Sequence, residues 1–336
     1  MKNIFKNKVV LITGGTGTIG SELVRQILQL QPRQVRVFSR DDTRQHDLQE
    51  SLPRNAPVRF LIGDVREYRR LNVAMRGVQI VLHAAALKHV PAAEYNPYEA
   101  VKTNIIGSQN VIECAIEHRV ERVIAISTDK AVNPKNVLGT SKLMMEKLFT
   151  NANFTFGLLP GKDGMYPTRF SCVRFGNVAW SRGSVLPHWK VCAERSGEIL
   201  VSDPSMTRFM ISNLEAVRLV LSSAELMRGG EIFVLKMPSI KLGDLARLFV
   251  KKFYPKRKIK ITVIGNRGGE KHHEELFLKD EHATVFENKD MLISVPHPQI
   301  SRLVQPRVSY AGFKPREPKT YSSKENIDAE AIEKLL

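Results

Sequence analysis

Short apolar runs alternate with amphipathic stretches through the first half of the chain. Val9–Ile12 is continuously apolar and is followed by Thr13 and two glycines, which predicts a buried strand over Val9–Thr13. Ile19–Leu30 follows with helical spacing. Val35–Ser39, Val58–Ile62, Ile80–His83 and Val123–Ser127 read as further strands. The segments between them carry helical patterns, and Pro97–His118 is the longest. Strand-helix alternation of this kind predicts an α/β, doubly wound parallel sheet of Rossmann type. Val173–Arg174 and Ile232–Leu235 supply the last strands.

Beyond about residue 175 the alternation loosens, and Pro187, Pro204, Pro238 and Pro255 interrupt it. A smaller substrate-binding region with ligand-facing loops is expected there. Lys241–Phe253 reads as an amphipathic helix. The expected division is a nucleotide-binding domain over 1–175, with strands added from 225–240. A mainly substrate-binding region covers 176–304. A polar arm or partly disordered tail covers 305–336, where no core pattern is visible.

Composition changes this picture in one respect. A chain of 336 residues with 43% hydrophobic residues can bury a full core, but its formal charge of +17 is unusual. The Lys and Arg residues are dispersed, with no zinc-ligand spacing and no aromatic-basic repeat. We therefore read a solvated basic surface with sites for phosphorylated ligands, not a nucleic-acid binder, and no metal site. Cys114, Cys172 and Cys192 are odd in number and far apart, which favours reduced thiols and a cytoplasmic setting. The apolar run near the N-terminus is too short for a signal peptide, and no run has the length of a transmembrane segment.

Between the first strand and the first helix lies Thr13-Gly14-Gly15-Thr16-Gly17-Thr18-Ile19-Gly20. Gly14 permits the tight turn, Gly17 lets the backbone approach a pyrophosphate, and Gly20 lets helix and strand pack closely. The free N–H groups of the helix N-terminus face the phosphates. An ordinary Gly-rich turn is the bland alternative, and the flanking strand and helix favour dinucleotide binding. The second strand ends in Ser39-Arg40, donors and positive charge that suit the 2′-phosphate of NADP. Asp41 and Asp42 follow and keep NAD open, since a carboxylate there holds a ribose hydroxyl. Asp64, after the third strand, is expected near the adenine amine, with helix N-capping as its other role.

The stretch Ser127-Thr128-Asp129-Lys130-Ala131 sits at the C-terminal end of a predicted parallel strand, where sites on such sheets form. It offers an acid beside a base. A salt-bridged loop pair is the alternative reading.

With these residues in view, the chain resembles the extended short-chain dehydrogenase/reductase superfamily. More narrowly it resembles the UDP-N-acetylglucosamine 4,6-dehydratases of glycan and polysaccharide biosynthesis. The resemblance rests on separate blocks spread from about residue 5 to about residue 295. They include the glycine loop, Phe38–Asp41, Gly63–Arg66, His83–Pro91, Val101–Asn104, Ser127–Ala131, Arg174–Val178, Ser181–Val185, Met206–Phe209 and Gly269–Lys271. It implies cofactor contacts from Gly14, Thr16, Gly17, Thr18, Ile19, Gly20, Ser39, Arg40, Asp41, Asp64 and Val65. Ala84, Ala85, Ala86, Lys88, Asn104, Ser127 and Lys142 complete that set. Lys88 and Asn177 would lie near the sugar, Ser184, Val185 and Pro187 near the uridine, Arg208 and Arg267 on the diphosphate, and Glu270 on the uridine ribose. A homo-oligomer is also implied.

The implied reaction removes water across carbons 5 and 6 of the sugar after oxidation at carbon 4. Lys130 would be the base at carbon 5, with its pKa lowered by Lys142 and the cofactor. Asp129 would be the acid for the 6-hydroxyl, Thr128 would bind the 4-hydroxyl, and Lys142 would hold the nicotinamide ribose. Two positions depart from the family pattern. Leu138 occupies the place of a Tyr or Met, leaving Asp129, or a water through Thr128, to take the 4-hydroxyl proton. Gly268 stands where Pro is usual. A UDP-sugar 4-epimerase and a non-catalytic NADP-binding regulator are the competing readings.

Overall fold

The computed structural model describes residues 3–156, 167–281, 283–296 and 309–336. Its main sheet holds ten strands. The first half is a regular alternation of β1 (Val9–Thr13), α1 (Thr18–Gln29), β2 (Gln34–Ser39), α2 (Asp42–Glu50), β3 (Val58–Ile62), α3 (Tyr68–Met75) and β4 (Ile80–His83). Then come α4 (Val90–Tyr95), α5 (Pro97–Ala100), α6 (Gly107–Glu117), β5 (Arg122–Ile126), α7 (Val137–Thr155) and β6 (Arg169–Arg174). Every residue of β1 is buried, as its unbroken apolar run requires. Helix α1 turns Gly20, Leu23, Val24 and Ile27 to the core.

The second half contains β7 (Asn177–Val178), α8 (Val185–Ser196), β8 (Glu198–Val201), β9 (Thr207–Ile211), α9 (Asn213–Leu226), β10 (Ile232–Leu235) and β11 (Ser239–Lys241). It continues with α10 (Leu242–Phe253), β12 (Lys260–Val263), β13 (Glu275–Phe277), β14 (Ala283–Glu287), β15 (Met291–Pro296), β16 (Lys314–Arg316), β17 (Tyr321–Ser322) and α11 (Ala329–Glu333). The sheet order is β16-β14-β15-β10-β6-β5-β4-β1-β2-β3. Strands β3 through β10 in that order pair in parallel, with β15, β14 and β16 added antiparallel at one edge.

The predicted strands and helices of the first half are present within a few residues of their expected bounds. The helical run expected over Pro97–His118 extends over 97–117, but Val101–Ile106 is a π-helical segment. Two expectations for the C-terminal part do not hold. Residues 283–296, assigned to the substrate region, extend the main sheet instead. Residues 309–336, expected as a polar arm, are built into the fold: β16 closes the sheet edge and β17 pairs with β13. Ile332 of α11 is fully buried in a second core with Trp189, Ile240 and Phe249. One apolar residue per turn is enough to dock so short a helix, and that is too sparse to show as a pattern. The expected boundary at 304–305 lies outside the described residues.

Candidate active site

The glycine loop forms a cradle that side chains would block. Gly14 adopts φ +66°, and a Cβ there would come within 2.7 Å of the Ala85 nitrogen. A Cβ on Gly20 would clash with the Gly14 carbonyl. Gly17 is the N-cap of α1, with no side-chain cap and no acidic residue in the first turn, so the helix end is left for an anion. Ala84 and Ala85 run beside the loop, with the Ala84 amide donating to Thr13 O at 3.0 Å. These features, with the buried Ser127 hydroxyl that has no partner among the described residues nearby in the strand order, fit a dinucleotide.

At the end of β2 the charged residues already have protein partners. Asp41 caps α2 by accepting from the Arg44 amide at 2.9 Å. The Ser39 hydroxyl accepts from Gln45 Nε2 at 3.0 Å. Arg40 is exposed and lies 3.6 Å from Asp64. Asp64 accepts from the Arg66 amide at 3.0 Å and pairs with its guanidinium at 2.7 Å. Although burial opposes it, the Arg66 contacts with Arg40 hold the Asp64 carboxyl below the usual range. Asp64 caps no helix, because Glu67 is the N-cap of α3. Val65 is buried against Gly107.

The catalytic candidates meet in the turn after β5. Thr128 Oγ1 donates to Asp129 Oδ1 at 2.8 Å, and Lys130 Nζ donates to the same oxygen at 2.9 Å. Asp129 is fully buried, and its Oδ2 has no hydrogen-bond partner among the described residues. Lys130 also reaches Asn177 Oδ1 at 3.3 Å and lies 3.8 Å from Glu274 Oε1. The expected lowering of the Lys130 pKa is not found. Burial favours the neutral amine, but the Asp129 and Glu274 carboxylates outweigh it and raise the ammonium above its usual range. Burial does lower Lys142, to about 8, with Nζ donating to Ile126 O at 2.8 Å. Leu138 is buried against Ala93 and Ala100, leaving the Thr128–Asp129 pair as the hydroxyl-carboxylate unit of the turn.

Asn104, in the π-helical segment, clamps Leu87 by accepting from its amide at 2.9 Å and donating to its carbonyl at 3.2 Å. Its Nδ2 also donates to Ser141 at 2.9 Å. Lys88, in the same loop, donates to Arg182 O at 2.6 Å, and burial with the Arg182 charge lowers its pKa. Arg182 in turn donates to Thr16 O, and its amide donates to Thr18 Oγ1, each at 3.2 Å. Its motif block was noticed in the sequence, but this bridge to the glycine loop was not foreseeable from a lone exposed Arg.

Ser184 is the N-cap of α8, and its buried hydroxyl has no partner among the described residues. Val185 and Pro187 occupy the first turn of that helix. Arg267, Gly268 and Glu270 line a cavity of about 540 Å³ with Val90, Pro91 and Tyr95. Arg208 is buried and contacts Glu274 at 3.9 Å, whereas Arg267 is exposed. The structure therefore joins Arg208 to the Lys130 network and Arg267 to the outer cavity. Glu274 is the site residue that sequence reasoning missed. Among the described residues no cluster of His, Cys, Asp and Glu could hold a metal ion.

The parallel sheet, glycine cradle and hydrogen-bonded Thr-Asp-Lys turn define an extended short-chain dehydrogenase/reductase-type protein. The chain matches the family described as "Polysaccharide biosynthesis protein" over residues 10–296, and it belongs to that family. A protein of Methanocaldococcus jannaschii named an uncharacterized membrane protein is 47% identical over 302 residues, 88% of each chain. No helix among the described residues here is long and apolar enough to cross a membrane. The UDP-N-acetylglucosamine 4,6-dehydratase (inverting) of Campylobacter jejuni is 45% identical over 286 residues, 84% of this chain and 81% of that one. The UDP-glucose 4-epimerase of Rickettsia canadensis is 41% identical over 285 residues, 83% and 80% of the two chains. The X-ray structure of Pen from Bacillus thuringiensis, 42% identical, gives a TM-score of 0.89 over 99% of this chain and 98% of that one.

Proposed function

We propose that the protein is a UDP-N-acetylglucosamine 4,6-dehydratase that uses NADP. The observation that carries this reading is the hydrogen-bonded Thr128-Asp129-Lys130 turn, with Asp129 fully buried, at the end of β5. Oxidation of an alcohol alone needs one proton acceptor, whereas elimination needs a base at carbon 5 and an acid for the leaving hydroxyl. The Campylobacter relative bears the dehydratase name. Exposed Arg40, with Asp41 engaged in capping, supports NADP over NAD.

When bound, the nicotinamide supplies hydride acceptance from carbon 4 and hydride return at carbon 6. The protein's own groups handle the protons. Thr128 passes the 4-hydroxyl proton to Asp129, to which it is already hydrogen-bonded. Asp129 then gives that proton to the departing 6-hydroxyl, which leaves as water. Lys130 removes the proton from carbon 5, acidified by the adjacent ketone, and returns one there after elimination. Lys142 holds the nicotinamide ribose, and Asn177 and Lys88 orient the sugar. Ser184, Val185 and Pro187 receive the uridine, Arg208 and Arg267 the diphosphate, and Glu270 the ribose. Two phosphates call for guanidinium partners.

The test is NMR of the product formed from UDP-N-acetylglucosamine without added reductant. A UDP-4-keto-6-deoxy sugar is expected. In Lys130→Ala and Asp129→Asn its rate of formation falls by about a hundredfold or more, with cofactor still bound. UDP-N-acetylgalactosamine as the product would establish the 4-epimerase reading instead.

A further inference from the structure

The reading of Lys130 as the carbon-5 base leaves one proton unassigned. A base must be a neutral amine, yet Lys130 sits against two carboxylates that favour the ammonium. Asp129 is committed to the proton of the 4-hydroxyl. Glu274 is the other carboxylate, and nothing above gives it a role.

Glu274 has the makings of a proton acceptor. Only 3% of its surface is exposed. Its Oε1 lies 3.8 Å from Lys130 Nζ, and its Oε2 has no hydrogen-bond partner among the described residues. Its backbone is fixed from both sides by Ser323, whose hydroxyl accepts from the Glu274 amide at 2.9 Å and whose amide donates to the Glu274 carbonyl at 2.8 Å. The charged groups facing it are Lys130 and Asp129 from the turn after β5, Arg208 from β9, and Lys271 on its own loop at 3.6 Å. Burial raises its carboxyl above the usual range despite the nearby cations.

We propose that Glu274 is the proton partner of Lys130: as substrate fills the cleft, the Lys130 ammonium passes a proton to the Glu274 carboxylate, leaving a neutral amine facing carbon 5 and a neutral carboxylic acid behind it. The step balances, because one N–H bond breaks and one O–H bond forms, with no charge leaving the site. Excluding water disfavours two separated charges more than two neutral groups, so closure drives the transfer. Glu274 acts through Lys130 and touches no reacting carbon. This inference rests on the assignment of Lys130 as base.

The experiment compares kcat against pH for wild type, Glu274→Gln, Glu274→Asp and Lys130→Ala, alongside UDP-N-acetylglucosamine binding. Internal transfer makes wild-type turnover flat between pH 7 and 9. Glu274→Gln must lose the Lys130 proton to solvent. Its kcat at pH 7 falls by about a hundredfold and then rises about tenfold per pH unit, while substrate affinity holds. Glu274→Asp recovers part of the rate and the flat profile. A flat, near-normal profile in Glu274→Gln overturns the proposal. Normal turnover in Lys130→Ala instead overturns the base assignment, so the two failures are distinct. Infrared difference spectra of ¹³C-glutamate-labelled wild type give a test independent of any variant. A labelled protonated-carboxyl band should appear when UDP-N-acetylglucosamine is added, and its absence overturns the proposal.

Discussion

Two residues on the nucleotide-binding half make separable predictions. Arg40 is exposed at the end of β2, 3.6 Å from Asp64, and on the proposed reading its charge faces the 2′-phosphate of NADP. Arg40→Ala should weaken NADP by about tenfold or more and NAD little, measured by titration of both dinucleotides. Equal losses would remove the NADP assignment. His83 is buried between Thr13 Oγ1 at 2.7 Å and Ser108 Oγ at 3.1 Å, and its ring stacks on Phe149. Burial lowers its pKa from 6.5 to about 3, so the folded protein holds it neutral. Below pH 6.5 the unfolded chain binds a proton that the folded chain refuses. Its contribution is therefore complete above pH 6.5 and is lost on acidification, by about 1.4 kcal/mol per pH unit until the folded group titrates. Urea unfolding at pH 7.5, 6 and 5 should show this slope in wild type and a shallower one in His83→Gln. The pairing of Asp129 with Lys130 was legible because adjacent residues at a strand end need no tertiary knowledge. Glu274 was not legible, since it stands in His272-His273-Glu274-Glu275, where nothing local distinguishes the buried carboxylate from its less buried neighbours.

Between elements, one buried ion network ties α7, β6 and the segment after β13 together. Arg174 donates to both Glu146 oxygens at 2.8 and 2.7 Å and to both Glu281 oxygens at 2.8 Å. Burial works against the Arg174 charge, but the two carboxylates hold it protonated. Removing one partner of such a set leaves an uncompensated charge. Arg174→Met should cost about 3–5 kcal/mol in urea unfolding, and adding Glu146→Leu should recover much of it. The central strands β1 and β4 were readable because a strand covered on both faces is largely apolar. The π-helical segment was not, since inserting a wider turn leaves the periodicity on either side intact. Its effect is to put Asn104 where it pins Leu87 in the cofactor loop.

At the scale of the molecule, the basic charge and phosphate-binding features agree with an anionic nucleotide ligand, and local composition was a fair guide to that. It was a poor guide to the C-terminal residues, whose contribution is made by a few buried contacts. Ser323 is fully buried on Glu274 and Thr207, and Trp180 Nε1 donates to Leu335 O at 3.1 Å. This lacing has a consequence for how the protein folds. Lys130 and Glu274 meet only after a long stretch of chain has closed, and Ser323, which fixes Glu274, arrives later still in sequence. Such closures carry a large entropic cost before they are rewarded, so they form late. The nucleotide-binding half can condense from neighbouring strands and helices while the chemical centre remains unassembled. A chain halted at that stage would hold a dinucleotide cradle with an open sheet edge along β10, prone to pairing with other chains and without any catalytic capacity.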